Sequence, residues 1–216
     1  MSRGARTAAP AVPPELRRAT AAAGAVAALV LATLAVLYAA GGALGGFDRT
    51  EPAEDGIGPP LRPVALVIDF GGEPLGAAVL VATLAVACLA RGRPRLAVLA
   101  VAGPAVTVAS TTAIKHLVGR TIHGGHLAFP SGHTAFATAL ALVLALLVVD
   151  LARTGRRATT LVLAGTVTAA GTLMAWSQVA LGAHYPTDTL GGFCTALAIV
   201  PPAAWLLDTA VEHVLM

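Results

Sequence analysis

An all-α polytopic membrane protein, six transmembrane helices in one bundle, is the fold this sequence predicts, and three observations predict it. Of 216 residues, 56% are hydrophobic and 12% are charged, where a soluble domain averages about 25% charged. The apolar residues gather in runs of near-span length without alternation, which excludes barrel strands and leaves helices to satisfy the backbone in lipid. Arg, Gly and Pro fall between those runs and break them into six.

Residues 1–18 carry Arg3, Arg6, Arg17 and Arg18 among Ala and Pro, and read as a disordered cytoplasmic tail ahead of one membrane domain over 19–210. The first span is expected at about Ala19–Gly46; its apolar core is too long for a cleaved signal peptide. Phe47–Gly72, with Asp48, Glu51, Glu54 and Asp55, reads as a loop with a short interfacial helix around Val64–Phe70. The second span, Leu75–Ala90, is short against the roughly 20 residues a bilayer needs. It closes on the basic turn Arg91-Gly92-Arg93-Pro94-Arg95. The remaining spans are Leu96–Leu117, Ser131–Leu151, Thr159–Leu181 and Pro186–Leu207. Cys88 and Cys194 lie inside apolar runs and read as small buried hydrophobes.

Basic residues set the orientation. Arg3, Arg6, Arg17, Arg18, Arg91, Arg93, Arg95, Arg153, Arg156 and Arg157 fall on one side of a six-span chain; Arg49, Arg62, Lys115 and Arg120 fall on the other. The positive-inside rule then puts both termini in the cytoplasm. The nearly all-arginine, alanine-rich composition points to a bacterial plasma membrane, and the net charge of +3 is too small to argue for a nucleic-acid partner.

On the outward side, three separated segments meet. Lys115, the single lysine, and Arg120 close the third span; Pro130-Ser131-Gly132-His133 opens the fourth; Ser177, Gln178, His184 and Asp188 join the fifth and sixth. Ionisable groups at such depth are costly and suggest function. Ser131 is also what an ordinary helix N-cap would use. Ser131 and Gly132 would let an anion approach the unpaired N–H groups of a helix start. His184 and Asp188 are four apart, so a carboxylate could hold one imidazole nitrogen and leave the other free to attack. Two histidines, one backed by a carboxylate, with a lysine and an anion cradle, suit phosphoryl transfer without a metal or other cofactor. No recognised zinc-ligand spacing accompanies His116, His123 and His126.

These residues resemble the type 2 phosphatidic acid phosphatases, integral membrane lipid-phosphate phosphatases related to vanadium haloperoxidases. Their pattern is K-x6-R-P, then P-S-G-H, then S-R-x5-H-x3-D. Lys115, Pro130–His133, Ser177, His184 and Asp188 match it in order and register. The resemblance implies that His184 is the nucleophile forming a phosphohistidine, Asp188 its orienter and His133 the general acid. It also implies that Lys115, Ser131 and Gly132 bind phosphate.

The departures are the two family arginines. Ile122 and His123 stand where Arg-Pro belongs, and Gln178 where the second arginine belongs. Arg120, two residues early, is expected to reach the same oxygens, with His123 and Gln178 as further donors to phosphate. The substrate expected is a membrane lipid phosphate: a polyprenyl phosphate or diphosphate, phosphatidic acid, or a phosphorylated envelope glycolipid. The alternatives are a non-catalytic lipid-phosphate binder that lost the arginines, and a phosphotransferase passing the group to an alcohol.

Overall fold

The computed structural model describes residues 9–41, 48, 56–123, 125–152 and 155–215. The described residues form seven α-helices: α1 (Arg17–Ala39), α2 (Arg62–Phe70), α3 (Pro74–Ala90), α4 (Pro94–Val118), α5 (Gly132–Ala152), α6 (Arg156–Ala180) and α7 (Pro186–Leu215). A two-stranded hairpin, β1 (Thr121–Ile122) with β2 (His126–Leu127), lies between α4 and α5. Five helices are each long and apolar enough to span a membrane, and α2 with α3, bent by 58° at their junction, make a sixth candidate. The chain is therefore an integral membrane protein of the all-α polytopic class.

Local chemistry explains the boundaries. Proline stands in the first turn of α2, α3 and α4 and opens α7, where its missing N–H has no intrahelical duty. At the far end of α4, Gly119 takes the left-handed conformation (φ +70°) and its N–H closes on Lys115 O at 2.9 Å. This ends the helix just beyond the lysine. The short second span is α3, whose 17 residues reach only about 25 Å. The interfacial helix expected at 64–70 is α2. The first span ends at Ala39, short of the Gly46 expected; residues 42–47 lie outside the described ones.

Helix α5 is the centre, packed against α4, α6 and α7 and the most buried of the spans. Thr107, Thr138 and Thr195, all fully buried, donate to carbonyls one turn back in their own helices, so their hydroxyls carry no unpaired cost in the core.

At the end holding both termini, Asp208 of α7 is 1% exposed, pairs with Arg95 at 3.0 Å, and accepts the Ala11 N–H at 2.7 Å. Arg93 donates to Pro10 O at 2.9 Å and pairs with Asp150. Within the disordered tail expected over 1–18, residues 10–18 are thus packed on the bundle or already part of α1. Ala11, Val12 and Leu16 are buried, and the N–H groups of Ala11 and Val12 are satisfied by the Asp208 carboxylate. Residues 1–8 lie outside the described ones.

Candidate active site

The site is assembled at the opposite end of the bundle. Lys115, on the last turn of α4, donates to Leu127 O at 2.9 Å, which ties the helix to the β1–β2 hairpin. In that hairpin Thr121 pairs with Leu127 and Ile122 with His126. His123 sits in its turn with φ +38° and shares a 2.8 Å hydrogen bond with Gly182 O. It meets the loop before α7, at a carbonyl.

The mouths of α5 and α7 are bonded directly. Ser131 donates its N–H to Asp188 O at 2.8 Å, and its own hydroxyl accepts from Thr134 N–H at 3.4 Å and Thr134 Oγ1 at 3.2 Å. Ser131 is thus the N-cap of α5. Two glycines of α7 allow this closeness. A Cβ at Gly192 would stand 2.3 Å from Ser131 O, and one at Gly191 would stand 2.4 Å from the Phe129 ring. Gly132 opens α5 beside Thr111 Oγ1.

His184 lies in the turn before α7 and is buried. Its Nδ1 faces Asp188 Oδ2 at 3.6 Å, and that carboxylate is fully buried. The same Oδ2 accepts the Tyr185 N–H at 2.9 Å. Burial pushes the imidazole pKa below its ordinary value; the Asp188 carboxylate opposes that, and the nearby charges of Lys115 and His133 add to it. His184, Asp188, Lys115 and His133 therefore share one electrostatic neighbourhood.

Arg120 is elsewhere than expected. Its guanidinium bonds Asp188 Oδ1 at 2.6 Å, Thr187 Oγ1 at 2.9 Å and Asp48 Oδ2 at 3.1 Å. The rings of Tyr38 and Tyr185 lie 4.0 and 4.1 Å from its central carbon. Its donors face carboxylates, and its planes are covered by aromatic faces. Gln178 is also engaged: 2% exposed, it donates to Asp69 Oδ1 at 2.6 Å, while Ser177 donates to Ala65 O at 2.9 Å. Both side chains hold α2 against α6.

His133, in the first turn of α5, faces the α2–α3 corner. Its Nε2 is 3.6 Å from Asp69 Oδ1 and 3.6 Å from Glu73 Oε1. Gly72 makes the approach possible, since a Cβ there would lie 2.3 Å from His133 Cδ2. Sequence reading missed Asp69, Glu73, Tyr38 and Tyr185, and placed Asp48 only in an acidic loop. A carboxylate at the penultimate position of an amphipathic helix at a span boundary was the available signal for Asp69.

Below His133 an apolar cavity of about 410 Å³ opens between α2, α3, α5 and α6. It runs from Ile68 and Phe136 down past Leu84 and Ala141 to Leu147.

Comparison with known proteins follows the same outline. A family model described as the PAP2 superfamily matches residues 74–211. A similar solved structure is the first transmembrane PAP2 type phosphatidylglycerolphosphate phosphatase from Bacillus subtilis. The likeness has a TM-score of 0.64 at 20% identity, covering 86% of this chain and 96% of that one. No curated protein matches the sequence significantly.

The α5–α7 contact yields a paired test. Gly192→Ala drives a Cβ into Ser131 O and is expected to lower the unfolding temperature in detergent, whereas Gly165→Ala, which meets nothing, is expected to leave it unchanged or raise it slightly. Equal melting of the two variants would mean that the close approach is not needed.

Proposed function

The chain belongs to the PAP2 superfamily, and from that premise we propose that it is a metal-independent phosphatase of a membrane lipid phosphate, working through a phosphohistidine. One observation carries the reading: a buried imidazole, backed by a fully buried carboxylate, shares its neighbourhood with a second histidine and the chain's single lysine.

The roles follow from the geometry. Asp188 faces Nδ1 of His184, so Nε2 is the nitrogen left to attack phosphorus. The 3.6 Å separation is longer than a hydrogen bond, and such contacts tighten when substrate is bound. In the first step the Nε2–P bond forms and the P–O bond to the lipid breaks; His133 gives its proton to the leaving alkoxide. Water then attacks phosphorus, His133 takes a proton from it, the N–P bond breaks, and inorganic phosphate leaves. The ammonium of Lys115 and the first N–H groups of α5, at Gly132 and His133, offer donors to the equatorial oxygens.

Arg120 takes a different part from the one its sequence position suggested. Its bond to Asp188 Oδ1 leaves Oδ2 to face His184. It acts as a positioning residue. Gln178, held on Asp69, likewise supports the corner that faces His133.

The lipid tail fits the apolar cavity beneath His133, which keeps the head at the helix mouths while the chains stay in hydrocarbon. Its lining is almost wholly apolar, as a lipid tail requires. The active end lies away from Arg17, Arg93 and Arg95, which supports an extracytoplasmic face by the positive-inside rule and termini in the cytoplasm.

Purified protein is expected to release inorganic phosphate from a panel of lipid phosphates with chelator present, and His184→Ala is expected to release none. Activity lost to chelator, or surviving the substitution, would refute the mechanism. Arg120→Lys keeps the charge but loses the fork, and is expected to lower kcat by about one to two decades, the value of one charged hydrogen bond, with little change in KM. A rise in KM alone would return Arg120 to phosphate binding. Because the His184 pKa is lowered from about 6.5, the neutral, attacking form persists into mildly acidic solution. The acid limb of kcat/KM is expected below pH 6.5. The stability sign agrees: between the folded and unfolded pKa values the unfolded chain binds more protons, so the cost of burying this ring vanishes as pH rises past 6.5.

A further inference from the structure

Two carboxylates stand at the mouth of a site that handles a phosphate. Asp69 closes α2, Glu73 caps α3, and both turn toward His133. Like charges there repel each other and the substrate unless a cation joins them. The His133 Nε2 atom is buried and has no hydrogen-bond partner among the described residues, so the imidazole does not already satisfy either acid.

The distances fit coordination better than hydrogen bonding. One ligand atom from each of Asp69, Glu73 and His133 lies within 4.8 Å of the other two. The two 3.6 Å separations from Nε2 exceed a hydrogen bond. They are close to the edge, about 3.3–3.6 Å, of a tetrahedron whose corners lie 2.0–2.2 Å from a central zinc. Two of the three ligands are held in place by neighbours. Gln178 fixes Asp69 at 2.6 Å, an outer contact of the kind that orients metal-binding carboxylates. The bare backbone of Gly72 lies against the His133 ring.

We propose that Asp69, Glu73 and His133 form a binding site for a zinc-class divalent cation, and that its occupation switches the enzyme off. An imidazole with two carboxylates favours zinc over magnesium or calcium, which prefer oxygen alone. Binding occupies the Nε2 lone pair. The ring can then no longer protonate the leaving alkoxide. Two carboxylates, one neutral imidazole and one dication sum to zero, which removes the repulsion. The switch rests on the phosphatase reading above; the metal site does not.

The test begins without substrate. Zinc chloride is titrated into purified protein in detergent against a chromophoric chelator. One zinc per chain is expected for the native protein and for His184→Ala, which lies outside the cluster. Affinity is expected to fall at least roughly tenfold in Glu73→Gln and in Asp69→Asn. No stoichiometric zinc, or native affinity retained in both carboxamide variants, would overturn the site. Phosphate release is then measured with and without zinc. Inhibition is expected in the native protein, and Glu73→Gln is expected to keep its own zinc-free rate at concentrations that silence the native chain. Zinc bound with undiminished release would overturn the switch. Zinc bound by a chain that never releases phosphate would support the site and refute the phosphatase reading.

Discussion

A fully buried carboxylate governs this molecule. Asp188 sits where α7 begins, and its charge is met by the Arg120 guanidinium and the Tyr185 N–H while its backbone carbonyl accepts from Ser131. Taking a charge out of water costs several kcal/mol unless partners surround it, so the three segments that supply those partners are obliged to meet. The hairpin after α4 brings Arg120, the mouth of α5 brings Ser131, and the turn before α7 brings Tyr185 with His184. What holds the bundle closed at this end also places the His184 imidazole beside Asp188.

The opposite end repeats the device. Asp208, twenty residues along α7, is as deeply buried and is met by Arg95 and by the N–H groups of Ala11 and Val12. Twenty residues of helix measure about 30 Å, the thickness of a bilayer's hydrocarbon. Helix α7 is thus a strut with one paired carboxylate near each interface. Between them the packing is apolar, and α5 fills the centre with small residues and self-bonded threonines. Close helix contact in lipid depends on such small residues because no water is expelled to drive association.

The corner between α2 and α3 is the more adaptable part. Its 58° bend brings Asp69 and Glu73 over His133, and Gln178 and Ser177 of α6 hold it down. Arginine at position 178 would put a guanidinium beside Asp69; glutamine makes the same bond with less charge. The local charge balance at His133 has therefore shifted toward acid, while Arg120 has been drawn away to Asp188.

Sequence alone determined the class and most of the outline. Long apolar runs in lipid have no stable alternative to helices, so the spans and their order follow from composition and punctuation, and the interfacial helix before α3 could be placed within two residues. The pairing of His184 with Asp188 was legible because four residues make one helical turn. The partners of Arg120, Gln178 and His123 were not legible, since each lies 59 to 109 residues away. A charged side chain takes whichever opposite charge the packing brings nearest. Nor could the chain say that Pro10–Val12 is ordered: that depends on Asp208, whose burial exists only once α7 has docked. Local spacing writes the helices and the dyad; long-range burial, which decides where each charge finds its partner, belongs to the tertiary structure.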